Sequence, residues 1–231
     1  MTKEELLLSL KKENINVNES TLNKLEGLIS YTLEANEKFN LTAIKDVDAF
    51  RELMIFDSLL PMKYIDFSNK KVLDLGTGAG FPGLPLLLTN NMNLTMLDST
   101  SKKINHIQKY LDENNLKAKA VSSRAEDYAI KHREEFDIVI SRAVSELNIL
   151  LELAIPLLKV GGTLLAMKGS KWNFEIEEAK NALKKLDAEV VETHLDYLSN
   201  KEERCLIVIR KNKATKGKYP RSYNQIKSNP L

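Results

Sequence analysis

Apolar positions recur along this chain at two spacings, and the change falls near residue 70. Before it they lie three and four apart: Leu6, Leu7 and Leu10; Leu22, Leu25, Ile29, Thr32 and Leu33; Val47, Phe50, Leu53, Met54 and Leu60. Such a period gives each segment one apolar face, so residues 1–66 are predicted to be helical. Thr2 and Glu5 have the spacing of a capping box, and Asn40-Leu41-Thr42 reads as a connection. Beyond Lys70-Lys71, short apolar runs alternate with amphipathic stretches. Runs 72–75, 94–98, 117–121, 136–141, 161–167, 188–194 and 204–210 read as strands, and 83–90, 101–114, 145–158 and 173–186 as helices. Alternation of this kind implies right-handed crossovers in one mainly parallel sheet. No helical run fills 195–203, so the last two strands should form an antiparallel hairpin. The expected fold is α/β, a Rossmann-like sheet with an antiparallel last strand. Its expected parts are an N-terminal helical extension (1–66), a sheet domain (67–211) and a tail (212–231).

The first strand breaks into Gly76-Thr-Gly-Ala-Gly-Phe-Pro-Gly83. Glycines let the chain turn sharply and approach a ligand, and Pro82 and Pro85 suit the first turn of a helix. Strand, glycine elbow and helix N-terminus together make a nucleotide-type cofactor site. Gly78, Gly80 and Gly83 satisfy the dinucleotide pattern, and Asp98 follows twenty residues after Gly78, where an acid binds ribose hydroxyls. A nicotinamide dinucleotide therefore stays open on spacing alone. Phe81 and Pro82 argue against it, because a pyrophosphate needs close backbone approach and free N–H donors. With Asp74 the elbow reads Asp-x-Gly-x-Gly-x-Gly, which resembles motif I of class I S-adenosylmethionine-dependent methyltransferases.

Composition narrows the setting. The 231 residues suffice for one sizeable core plus an appendage. No apolar stretch approaches the ~20 residues of a membrane span, and the acidic N-terminus does not read as a signal peptide. The single Cys205 fits a reducing cytoplasm, and His106, His132 and His194 are scattered, so no metal site is indicated. Net charge is +2, but from Arg204 onward there are eight Lys or Arg and no acid. The preceding residues carry 26 basic and 32 acidic side chains, a balance of −6. A basic tail on an acidic body fits either a polyanion contact or a solvated, disordered end.

In an open parallel sheet, ligands bind beyond the carboxyl ends of strands. That rule nominates Gly76 to Phe81, Asp98 and Ser99, Arg124 to Asp127, Ser141 and Arg142, and Lys168 and Gly169. A basic residue at a strand end is commonly solvated, so removing Arg142 is expected to cost little stability. The fourth strand is followed by Ser141-Arg-Ala-Val144, not the Asn/Asp-Pro-Pro-aromatic motif of base amino-group methylation. Cys205 lies inside a predicted late strand, away from the site. With neither base nor nucleophile evident, the acceptor should already carry an open lone pair. Guanine N7 meets that condition.

The chain resembles, almost end to end, the bacterial small-subunit ribosomal RNA methyltransferase G family, also called glucose-inhibited division protein B. The resemblance is carried by Asn36-Glu-Lys-Phe-Asn-Leu-Thr42, Asp57-Ser58, the elbow with Phe81-Pro82, Leu97-Asp-Ser99 and Lys102-Lys103. It continues through Ser123-Arg-Ala-Glu126, Ser141-Arg-Ala143, Ala166-Met-Lys-Gly169 and Tyr219-Pro-Arg221. It implies a class I methyltransferase sheet and methylation by S-adenosyl-L-methionine of guanosine N7 at position 527, in the 530 loop of 16S ribosomal RNA. By position, Gly76, Gly78, Gly80, Phe81, Asp98, Ser99, Ala125, Glu126 and Arg142 would hold the cofactor. Asn40, Arg124, Lys168 and Arg221 would face or position the RNA, with Arg142 and Lys168 aligning the substrate. The implied partner is 16S RNA or the small ribosomal subunit, met by a cytoplasmic monomer. Two positions depart from the family: Met54 stands where relatives often have histidine, and Ala35 where they often have an aromatic. A methyltransferase for a protein or small-molecule acceptor, with the tail as a linker, is the alternative.

Overall fold

The computed structural model describes all residues 1–231. Its centre is a seven-stranded sheet in the order β3-β2-β1-β4-β5-β7-β6. The strands are β1 (Lys71–Leu75), β2 (Asn93–Asp98), β3 (Lys119–Ser122), β4 (Phe136–Arg142), β5 (Leu158–Lys168), β6 (Ala188–Tyr197) and β7 (Glu203–Lys211). The first five pair in parallel; β7 inserts antiparallel between β5 and β6. A short turn can join β6 to β7 because the pair is antiparallel, as the missing helical run implies.

Side chains alternate across the sheet. Val72, Met96, Ile138, Ile140 and Val208 face one layer, formed by α1 (Lys3–Lys12), α2 (Glu19–Phe39), α5 (Gly83–Thr89) and α6 (Ser101–Glu113). Leu73, Leu97, Val139, Leu164 and Ile207 face the other, built from α7 (Ala125–Lys131), α8 (Leu147–Ala154), α10 (Lys180–Lys185) and the C-terminal α11 (Tyr223–Ser228). The N-terminal helices thus share one core with the sheet. Leu6, Leu25 and Ile29 belong to the same apolar cluster as Val72 and Met96.

Between α3 (Val47–Phe50) and the short α4 (Asp57–Leu59) the chain widens into a π-helical turn, Arg51–Phe56. The helix predicted over 145–158 ends at Ala154; Pro156 falls in a tightened turn, Ile155–Leu157, and β5 starts at Leu158. The helix predicted over 173–186 is two, α9 (Trp172–Glu178) and α10, meeting at buried Ala179. No glycine or proline marks that break.

The tail is folded. Tyr219, Ile226 and Leu231 are buried, and Arg133 donates to Tyr219 O (2.6 Å) and Thr215 O (2.9 Å). Lys211 is wholly buried, donating to Glu134 Oε1 (3.0 Å), Ile155 O (3.1 Å) and Leu158 O (2.8 Å). The idea of a solvated, disordered end is corrected: apolar anchors and internal partners for Lys211 and Arg221 fix it to the body.

Candidate active site

The elbow after β1 uses its own N–H groups. Gly76 and Thr77 donate to Leu97 O at 2.8 and 3.0 Å, and Gly78 donates to Asp98 Oδ2 at 3.0 Å. Gly80 and Phe81 donate to Thr77 O at 3.0 and 2.9 Å. Fully buried Asp74 accepts from Gly83 N–H (2.8 Å) and Thr77 Oγ1 (2.5 Å) through one oxygen. A carboxylate therefore already stands at the N-terminus of α5, where a dinucleotide would set its pyrophosphate. The nicotinamide alternative fails on this geometry. Burial pushes the Asp74 carboxyl up to about 6.

Gly76 has φ +73°, and a Cβ there would overlap Val144 Cγ2. Gly78 has φ +60° with open space around a Cβ position. A side chain at Gly78 would project into the cavity above the elbow, which measures about 470 Å³. Its walls come from five strand ends or loops and the tail. Leu75 to Ala79 and Phe81 form the floor, Asp98 to Thr100 and Lys103 one side, and Ser123 to Glu126 the next. Arg142, Ala143 and Val144 follow from β4, with Val144 against Gly76; Leu41 and Thr42 come from the loop after α2, Met54 from the π-helical turn and Tyr223 from α11. Asp98 spends its second oxygen on Thr100 N–H (2.8 Å). Glu126 accepts Arg124 Nε at 3.0 Å through one oxygen, while its other is buried without a partner.

Arg142 is not a solvated strand-end charge. It donates from Nη1 to Leu53 O (2.8 Å) and Asp57 Oδ2 (3.2 Å), and Nη2 lies 3.2 Å from Met54 Sδ. Asp57 also meets Arg204 Nε at 3.4 Å; burial raises its carboxyl, against the pull of both guanidinium groups. The π turn brings Leu53 O and Met54 into reach of Arg142, as such turns often do near functional sites. Met54, in place of the histidine, therefore contacts the arginine and carries no proton.

Four other expected residues sit away from the cavity lining. Gly80 backs onto Leu84 and Ile107 beneath the elbow. Lys168 is turned to Glu175 Oε2 (2.5 Å) and Ser145 O (2.6 Å). Arg221 grips fully buried Glu152 through Nε (2.8 Å) and Nη2 (2.6 Å). The Arg221 guanidinium thereby anchors the tail to the body. Asn40 caps α2 in a left-handed conformation, φ +49°, exposed beside the lining residues Leu41 and Thr42.

Two contributors escaped the sequence reading. Asn36 is buried and accepts Thr42 N–H at 2.9 Å, shaping the loop that borders the cavity; its place in the motif was the available signal. Tyr223 lies with its ring centroid 3.9 Å from the Arg124 guanidinium, inside a segment read as a tail. Nothing local marks it.

The cavity falls within the ~300–1,000 Å³ of small-molecule sites. A bare glycine, two carboxylates and an unpartnered buried oxygen at Glu126 suit a ligand with amino, ribose and adenine groups and no phosphate. Fold and site together define an S-adenosylmethionine-dependent methyltransferase of the Rossmann-like class. A solved S-adenosylmethionine-dependent methyltransferase from Aquifex aeolicus superposes with TM-score 0.54 at 16% identity, over 79% of this chain and 98% of that one. The cyclase SpnF superposes equally well, TM-score 0.55 at 13% identity over 68% of this chain and 79% of its own, so this likeness speaks for the fold alone. The family model "GidB: rRNA small subunit methyltransferase G" matches residues 21–205. Proteins named ribosomal RNA small subunit methyltransferase G are 37% identical in Oenococcus oeni, over 100% of this chain and 98% of theirs, and 39% in Halalkalibacterium halodurans, over 96% of each. The chain belongs to the rRNA small subunit methyltransferase G family.

Proposed function

We propose that this enzyme methylates N7 of a guanosine in 16S ribosomal RNA, in the 530 loop at position 527. When bound, S-adenosylmethionine supplies an electrophilic methyl group on a sulfonium. The residues of this chain bind and orient. Gly78 leaves room at the elbow and Gly76 lets Val144 pack against it, Asp98 and Glu126 offer acceptors, and Phe81, Ala125 and Ser99 complete the walls. Arg142, fixed by the π turn and Asp57, holds the side where the acceptor base enters. Asn40 and Arg124 border the cavity as RNA-facing positions, and Lys168 acts behind it by holding Ser145.

One observation carries the choice of N7. The lining around Arg142, made by Leu41, Thr42, Met54 and Val144, holds no group able to take a proton, and the two lining carboxylates, Asp98 and Glu126, are the ones assigned here to the cofactor. An acceptor there must attack without deprotonation, as the N7 lone pair does, and catalysis is then mainly alignment. In A-form RNA that atom lies in a groove side chains cannot enter, so the target must be looped or splayed out. With ribosomal RNA as substrate the enzyme works in the cytoplasm, as a monomer. No helix is long and apolar enough to cross a membrane.

The test is reaction with unmodified small subunits followed by mass spectrometry of the nucleosides. One 7-methylguanosine per subunit is expected. A methyl on another atom, or on protein, would overturn the reading.

A further inference from the structure

Beside the cavity a furrow of about 450 Å³ runs between α2 and α6. Lys102, Asn105, His106 and Lys109 lie three and four apart and so share one face of α6. Tyr31, Ala35 and Lys38 have the same spacing on α2 and face them. Three lysines thus oppose one lining acid, Glu34. Lys109 has only a loose outside contact, Glu113 at 3.7 Å. Phe39 closes one end, 45% exposed, with Lys102 Nζ 4.7 Å from its ring centroid. On the floor His106 stacks on Tyr31, centroids 4.6 Å apart; it is 7% exposed and its Nε2 has no partner. Burial lowers it to about 4, so it is a neutral donor or acceptor.

The furrow and the reaction site are lined by neighbouring residues of the same two segments. Phe39 and Asn40 lead directly to Leu41 and Thr42 in the cavity wall, and Lys103, next to Lys102, also lines it. Cations spaced along a groove with an exposed aromatic at its mouth fit a single-stranded polyanion whose bases are free to stack. A duplex would offer phosphates but no base for Phe39. We propose that this furrow holds the single-stranded RNA flanking the target nucleotide, with phosphates on Lys38, Lys102 and Lys109 and one base stacked on Phe39. The proposal rests on the RNA reading above.

The test compares the full-length wild type with F39A, F39W and a triple variant K38Q/K102Q/K109Q, using an RNA fragment spanning the target loop. F39A should weaken RNA binding about tenfold and F39W restore it. The triple variant should lower the slope of log affinity against log salt by roughly 2, from three single-strand phosphate contacts. K131Q/K184Q/K185Q, neutralising exposed lysines elsewhere, should leave the slope unchanged. Calorimetric affinity for S-adenosylmethionine should be the same in all, which separates a lost RNA contact from a damaged fold. A wild type that methylates RNA alongside furrow variants of equal affinity and slope would overturn the furrow alone. A wild type that leaves RNA unmethylated would overturn both it and the RNA reading. Variants that bind naked RNA normally but bind whole subunits poorly would put a ribosomal protein there, also against the proposal.

Discussion

Arg142 shows how tertiary context changes a residue's energetics. Its side chain is 14% exposed and shared among Leu53 O, Asp57 and Met54. Arg142→Ala should therefore abolish measurable cofactor-dependent turnover and also destabilise the protein by about 3 kcal/mol, the lower end for a broken buried pair because Arg204 still faces Asp57. Thermal melts and calorimetry check both parts; an unchanged melting temperature would contradict the anchored arrangement. Asp74 gives a pH signature. Burial lifts it from 3.8 to about 6, so between those values the folded chain keeps a proton that the unfolded chain releases. Stability then falls as pH rises through that window, by about 3 kcal/mol from this group, and is level above it. Asp74→Asn, which keeps an acceptor for Gly83 N–H, should flatten that stretch in denaturant titrations across the window. Equal slopes in both proteins would contradict the assignment.

Among the elements, the glycine elbow and most strands were legible because their causes are local. Val72 to Leu75 form an apolar run, and the residues after it include glycines at positive φ, Gly76 and Gly78. Cofactor candidates read from strand ends fell mostly on the cavity wall for the same reason: a parallel sheet carries all those ends to one edge. What stayed hidden depends on segments far apart in sequence. The π turn meets Arg142, 89 residues after Leu53, and the tail is held by Glu152, which lies 69 residues before Arg221. A run of lysines and arginines does not reveal that two of its members, Lys211 and Arg221, are paired inside the protein. Helix α11 brings Tyr223 to Arg124 at the cavity edge. Tyr223→Ala should weaken S-adenosylmethionine binding about fivefold, the worth of one partly exposed cation–π contact that holds Arg124 to Glu126, with little change in melting temperature. Calorimetry measures it, and an unchanged affinity would make α11 a purely structural clamp.

At the scale of the molecule, two helical layers cover a sheet whose carboxyl edge carries the cavity. One chain brings cofactor elbow, N-terminal wall and tail to a single opening. Its chemistry depends less on any proton-transferring side chain than on presenting a lone pair to a methyl group in line. Single-turnover transfer to RNA carrying either guanosine or 7-deazaguanosine at the target, with affinity measured for each, isolates that claim. The account predicts similar binding of both RNAs and methylation of guanosine alone. Methylation of the 7-deaza RNA at a comparable rate would place the reaction on another atom and contradict it.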